Sequence, residues 1–166
     1  MAYAGPEDRT SGGRTYHGRL FTSDRIRMDP SSRHLAFHGA IVLLFGLLLG
    51  APYARAIKRG DAAHVVNSWR VAHLSLPIGA VLMLSVAALL PALATSLLVQ
   101  WVIAVALIVS AYGFCVATPL AAITGQRGLD ASGSGLGKWV YAGNMVGAVS
   151  SIVAAIALLY ATFRAL

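Results

Sequence analysis

Polar and apolar positions in this chain separate into long blocks rather than alternating. Apolar runs occupy residues 35–53, 71–90, 97–122 and 139–163. Each supplies the roughly 20 apolar residues that a bilayer-spanning helix needs. Lipid cannot satisfy open backbone groups, so four helices in one bundle are predicted. Residues 54–70 read as a first loop carrying Arg55, Lys58, Arg59 and Arg70. The second loop, around residues 91–95, is short and uncharged, which makes the second and third spans a tight antiparallel hairpin. The third, residues 125–138, is rich in Gly and Ser and holds Arg127 and Lys138. Trp69, Trp101 and Trp139 fall near span ends, as an interfacial belt requires. Thr95 and Gln100 blur the start of the third span.

The first 33 residues have a different character. They are rich in Arg, Gly, Ser, Asp and Pro and hold no apolar core of signal-peptide length. They read as a mobile, disordered tail ahead of a membrane domain over residues 34–166. Met28 stands just before the first span as an alternative start.

Composition sharpens this into an all-α integral membrane protein. Of the 166 residues, 57% are hydrophobic and 11% charged, and the mean hydropathy is +0.70. A soluble domain carries about 25% charged residues. The expected setting is the inner (cytoplasmic) cell membrane, crossed several times. A formal charge of +7 suits anionic headgroups. No aromatic-interleaved basic groove or reading helix points to nucleic acid. Basic residues of the tail and of the first and third loops balance, so the positive-inside rule assigns no orientation. Cys115, the one cysteine, excludes an intrachain disulfide and reads as a small apolar residue within the third span.

Small residues recur at helical spacing. Gly46-x-x-x-Gly50 in the first span and Gly143-x-x-x-Gly147-x-x-x-Ser151 in the fourth place them on one stripe each. Such stripes admit close helix approach, either within the bundle or between subunits.

The polar residues inside the spans carry the candidate chemistry. His73 lies one turn into the second apolar run. An ionisable side chain there must recover its lost hydration from a partner, a metal or a cofactor. Imidazole is the commonest protein ligand for metals, haem iron included. Pro77, four residues on, cannot donate to the His73 carbonyl, so the helix is expected to bend there. The topology puts His73, Thr118, Tyr141 and Asn144 at a shared depth, with Ser110 and Tyr112 below them. Asn144 serves either this group or a hydrogen bond between helices, and Tyr141 reads as an interfacial anchor. His34 and His38 start the first span on the opposite side. That pair alone lacks the ligands of a Zn site. Haem held between His38 and His73 of one subunit would require about 20 Å of closure across several turns and is rejected. His17 and His64 sit in polar segments.

The run Trp69-Arg70-Val71-Ala72-His73, followed by Pro77, resembles the Trp-x-x-Ala-His segment of the bacterial styrene oxide isomerases, small four-span membrane proteins. The spacing to Pro91 and to Arg127-Gly128-Leu129, and the early His38-Gly39, are similar to that family as well. The resemblance runs from about Leu35 to the end of the chain and leaves the tail unmatched. It implies haem b on His73, a trimer with haem near subunit contacts, and ferric iron acting as a Lewis acid on an epoxide, without net redox change. It also shows departures. The family's asparagine six residues after the haem histidine is here Gly79. Its third-span aspartate aligns with Ser110, its later tyrosine with Thr118, and its tryptophan with Tyr112.

Three readings follow. The first is a trimeric membrane haem enzyme that rearranges a small lipophilic substrate, with His73 holding iron and Tyr112, Asn144, Ser110 and Thr118 as candidate pocket residues. The second keeps the haem but oxidises or reduces a lipophilic compound, such as a hydrazine. The third is a non-enzymatic membrane scaffold or transporter in which His73 only cross-links helices.

Overall fold

The computed structural model describes residues 1, 28–93, 95–125 and 135–166. Helices α1 (Pro30–Leu48), α2 (Gly50–Arg59), α3 (Ala63–Leu89), α4 (Leu97–Thr124) and α5 (Leu136–Arg164) follow in order, with one 3₁₀ turn at Leu90–Ala92. No strand occurs among the described residues. Four stretches, Pro30–Arg59, Ala63–Ala92, Leu97–Thr124 and Leu136–Arg164, are long and apolar enough to cross a membrane. The all-α, four-span architecture expected from the apolar runs is therefore present. The helices outrun those apolar runs at most ends, because a helix satisfies its own backbone even where its side chains turn polar.

Two expectations about boundaries change. Most of residues 54–70 is helix, and only Gly60, Asp61 and Ala62 separate α2 from α3. Gly60 ends α2 at φ 66°, a left-handed conformation that costs glycine nothing. At the other end, α1 begins at Pro30, so residues 30–33 belong to the first helix and not to the tail. Ser31 and Ser32 are buried, and the Ser31 hydroxyl donates to Oε1 of Gln100 at 3.2 Å. Residues 2–27 of the tail, and Arg127-Gly128-Leu129 with the Gly/Ser-rich stretch around them, lie outside the described residues.

The first span is interrupted at Leu49. Pro52 has no N–H for the Leu48 carbonyl, and it falls in the first turn of α2, where an amide proton is dispensable. By contrast, α3 continues through Pro77 and α4 through Pro119.

Packing runs chiefly between α1 and α3 and between α4 and α5, with α4 also touching α1 and α3. Helix α5 rests on α4 and makes almost no contact with α1 or α3. Leu35, Val42, Leu76, Met83, Leu90 and Ile103 centre the core. Glycines set the approach distances. A Cβ added at Gly39 would lie 3.2 Å from Met83 Cβ, and one at Gly46 only 2.5 Å from Pro77 Cδ. At Gly113 it would meet the Gly143 carbonyl oxygen at 2.8 Å and the Gly147 nitrogen at 2.9 Å. The glycines of both small-residue stripes thus serve packing inside the subunit.

Candidate functional site

His73 projects from α3 onto the α1–α2 junction. Its Nδ1 lies 3.0 Å from the Gly46 carbonyl oxygen. A carbonyl only accepts, so Nδ1 carries the proton and donates it. That fixes the tautomer and leaves the lone pair on Nε2 as the atom able to ligate. The imidazole also stacks on Tyr53, with ring centroids 6.1 Å apart at 27°. A Cβ at Gly50 would come to 3.0 Å from His73 Cε1, so any larger residue there would press the ring out of this position by a few tenths of an ångström. Gly46, Gly50 and Tyr53 follow at i, i+4 and i+7, one face across the α1–α2 interruption. The cradle goes beyond what the sequence indicates for the glycine stripe, close helix approach within the bundle or between subunits. The i+7 relation to Tyr53 is the signal that was available.

A cavity of about 500 Å³ opens where α3 and α5 fail to meet. Its walls include Ser75, Gly79, Ser110, Thr118, Asn144 and Ser151 amid apolar side chains. Three of the four expected pocket residues, Ser110, Thr118 and Asn144, therefore share one space. Two of their hydroxyls are already committed. Ser110 Oγ donates to the Gly147 carbonyl at 2.8 Å, and Thr118 Oγ1 donates to the Phe114 carbonyl at 2.9 Å. Each hydroxyl keeps acceptor capacity but no free proton. The cavity is consequently apolar in character and poor in donors.

His73 does not line this cavity. Val71 and Ser75, two residues to either side, do, and at 3.6 residues per turn they point roughly 160° away from it. The imidazole and the cavity thus occupy largely opposite faces of α3, although the sequence placed them at one depth. Depth follows from position along a helix, whereas the face follows from its rotation, which packing decides.

Tyr112 also stands apart from the cavity. Its hydroxyl lies 2.9 Å from His38 Nδ1, and the two rings meet edge to face, centroids 5.6 Å apart. His34 stacks near His38 and packs against Trp101. Side chains on a helix lean toward its N-terminus. The N-terminus of α4 is on the side where α1 begins, so the Tyr112 phenol reaches back toward His38. Tyr112 stands two residues from Ser110, roughly 160° round α4, and for that reason it leaves the group expected around Ser110. His38 and His73 remain well separated. Gly39 packs against Met83 and Gly50 against His73, which sets the two histidines about ten residues of α3, or roughly 15 Å, apart in depth.

The donor set suits a haem iron. One imidazole with a backbone-anchored Nδ1–H presents a single neutral nitrogen, the arrangement in which a ligating histidine is usually held. Among the described residues no group of three or more His, Cys, Asp or Glu side chains gathers to hold a bare metal ion. A macrocycle supplies its own equatorial ligands and asks the protein for an axial one.

Comparison with known proteins adds one finding. The family model described as styrene oxide isomerase matches residues 31–163. No curated protein matches the chain.

Proposed function

This chain belongs to the styrene oxide isomerase family, and on that premise we propose a trimeric haem b enzyme of the cell inner membrane. It rearranges a small lipophilic epoxide to a carbonyl compound. Bound haem would supply ferric iron as a Lewis acid for the epoxide oxygen, with no net oxidation. The observation that carries the reading is the His73 Nδ1–H donated to the Gly46 carbonyl. It leaves Nε2 as the atom that would hold the iron, with the ring anchored to the backbone through Nδ1. Tyr53 stacks on that ring and the Gly50 backbone lies near its Cε1 edge, so little of the ligand's rotational freedom remains to be lost on binding.

The cavity between α3, α4 and α5 receives the substrate's apolar body and excludes water from it. Ser110, Thr118 and Asn144 form its polar marks. Because the cavity and His73 use opposite faces of α3, one subunit does not bring them together. A neighbouring copy that sets its own cavity beside this His73 completes the site, which supports assembly with haem near the subunit contacts. Lipid forms the remaining surroundings.

A second reading keeps His73 as ligand and changes the reaction to redox turnover of a lipophilic nitrogen compound such as a hydrazine. It is favoured by the committed Ser110 and Thr118 hydroxyls and by Gly79, which stand where the resemblance expects longer polar groups. An absorption spectrum of the detergent-purified full chain tests both. A Soret band is expected, and His73→Ala should abolish it while the protein still inserts. A colourless protein would overturn both haem readings and leave a scaffold or transporter. Full haem occupancy in the His73→Ala variant would refute the ligand assignment. Product analysis without an added oxidant or reductant then separates isomerisation from redox turnover.

A further inference from the structure

A second space of about 470 Å³ lies beside the histidine cradle, lined by Tyr53, Ala63, Val66, Asn67 and Arg70. The α3 residues among these, at 63, 66, 67 and 70, continue at helical spacing to His73, so all share one stripe. Arg70 is three residues before His73, about 4.5 Å along the axis toward the end of the span. Tyr53 joins the two places, since it stacks on His73 and also walls the groove.

The groove has the chemistry of an anion site. Arg70 Nη2 donates to Asn67 Oδ1 at 2.6 Å. That bond holds one end of the guanidinium and leaves its other N–H groups for a further acceptor. Among the described residues no carboxylate forms an ion pair with Arg70. A guanidinium fork matches a carboxylate in two parallel hydrogen bonds.

We propose that Arg70, oriented by Asn67, anchors a carboxylate of the tetrapyrrole whose iron His73 would hold. The inference rests on the haem reading. A b-type haem is apolar over most of its rim and carries two carboxylates along one edge. The protein has the same polarity order, with the imidazole deeper in the span and the guanidinium one turn nearer the headgroups. The Arg70–Asn67 pair therefore sets which way the ring enters. Arg70 positions the cofactor and does not touch the reacting atoms.

The test loads the full-length chain, in zwitterionic detergent, with ferric haem or with its dimethyl ester, and follows the Soret band. The wild type should bind the diacid at least about tenfold more tightly than the ester, the range expected of one charge-assisted pair. Arg70→Gln should weaken diacid binding about tenfold and leave ester binding unchanged, and Arg70→Lys should fall between. If Arg70→Gln folds poorly, Asn67→Leu reads the same anchor, with a loss of several-fold for the diacid alone. Equal binding of diacid and ester by the wild type, with Arg70→Gln silent, would overturn the anchor while the haem reading stands. No Soret band with either compound would overturn both. An Arg70→Gln effect seen only after anionic phospholipid is added would assign the guanidinium to a headgroup phosphate and overturn the proposal.

Discussion

Adding a single methyl group at Gly46 should disturb both the bundle and the histidine it holds. The new Cβ would lie 2.5 Å from Pro77 Cδ, and 2.9 Å from both Leu76 Cβ and Pro77 Cγ. Apolar carbons rest at about 3.5–4.0 Å, so a gap of roughly 1 Å must open. A proline ring and a Cβ atom cannot swing aside, which forces α1 and α3 apart. Overpacking of this kind costs about 1–3 kcal/mol. Replacing glycine by alanine inside a helix returns about 1 kcal/mol, leaving a net loss of about 0–2 kcal/mol. The same movement stretches the 3.0 Å bond from His73 Nδ1 to the Gly46 carbonyl. An extra 1 Å takes it out of hydrogen-bonding range. Loss of the partner that orients a metal-ligating histidine typically lowers metal affinity about 10- to 100-fold. Gly79→Ala is the control for stability, because a Cβ there meets nothing within 4 Å. Thermal unfolding in one detergent should therefore rank Gly79→Ala at or above the wild type and Gly46→Ala below it. Titration with ferric haem should show weakened binding in Gly46→Ala. A Gly46→Ala protein as stable as the wild type, with unchanged haem affinity, would refute the reasoning.

Three further outcomes are expected. His38→Ala should leave haem content nearly intact, because His38 faces Tyr112 and lies about 15 Å from His73 in depth; a change from a low-spin to a high-spin spectrum would make it a ligand after all. Styrene oxide should be converted to phenylacetaldehyde poorly beside bulkier or aliphatic epoxides, because Gly79 offers no side chain and the Ser110 and Thr118 protons are committed to backbone carbonyls. A turnover equal to that of a family member with the full polar set would show that these positions do not set the chemistry. Gly113→Ala should lower the unfolding midpoint more than any substitution on the outer face of α5, such as Ile156→Ala, because its Cβ would strike the backbone of α5 while Ile156 is 64% exposed; equal midpoints would refute the close glycine crossing.

Much was legible from the residues alone. The four spans follow from the apolar blocks, because a bilayer imposes a length and forbids unsatisfied backbone. His73 stands out as a candidate because of the cost of an ionisable group at that depth, and the family follows from the ordered landmarks around it. Polar residues at helix ends misled the reading of residues 54–70 as loop, since helix continues wherever its backbone bonds close. The grouping of Ser110, Thr118 and Asn144 followed from depth, and the structure brings them to one cavity.

Tertiary structure alone decided rotation and partnership. Spacing along a chain gives depth to within a turn, but which way a helix face points depends on how neighbouring ridges and glycines interlock. The contacts of Gly46 with Pro77 and of Gly50 with His73 turn the imidazole to a backbone carbonyl and to Tyr53. They set the cavity on the other face of α3 and leave Arg70 beside the histidine over an open groove. The sequence by itself determined that this chain forms four helices long and apolar enough to cross a membrane and singled out the histidine inside the second of them. Only the packing decided what that histidine faces, because a helix carries the same residues at any rotation and only its neighbours choose one.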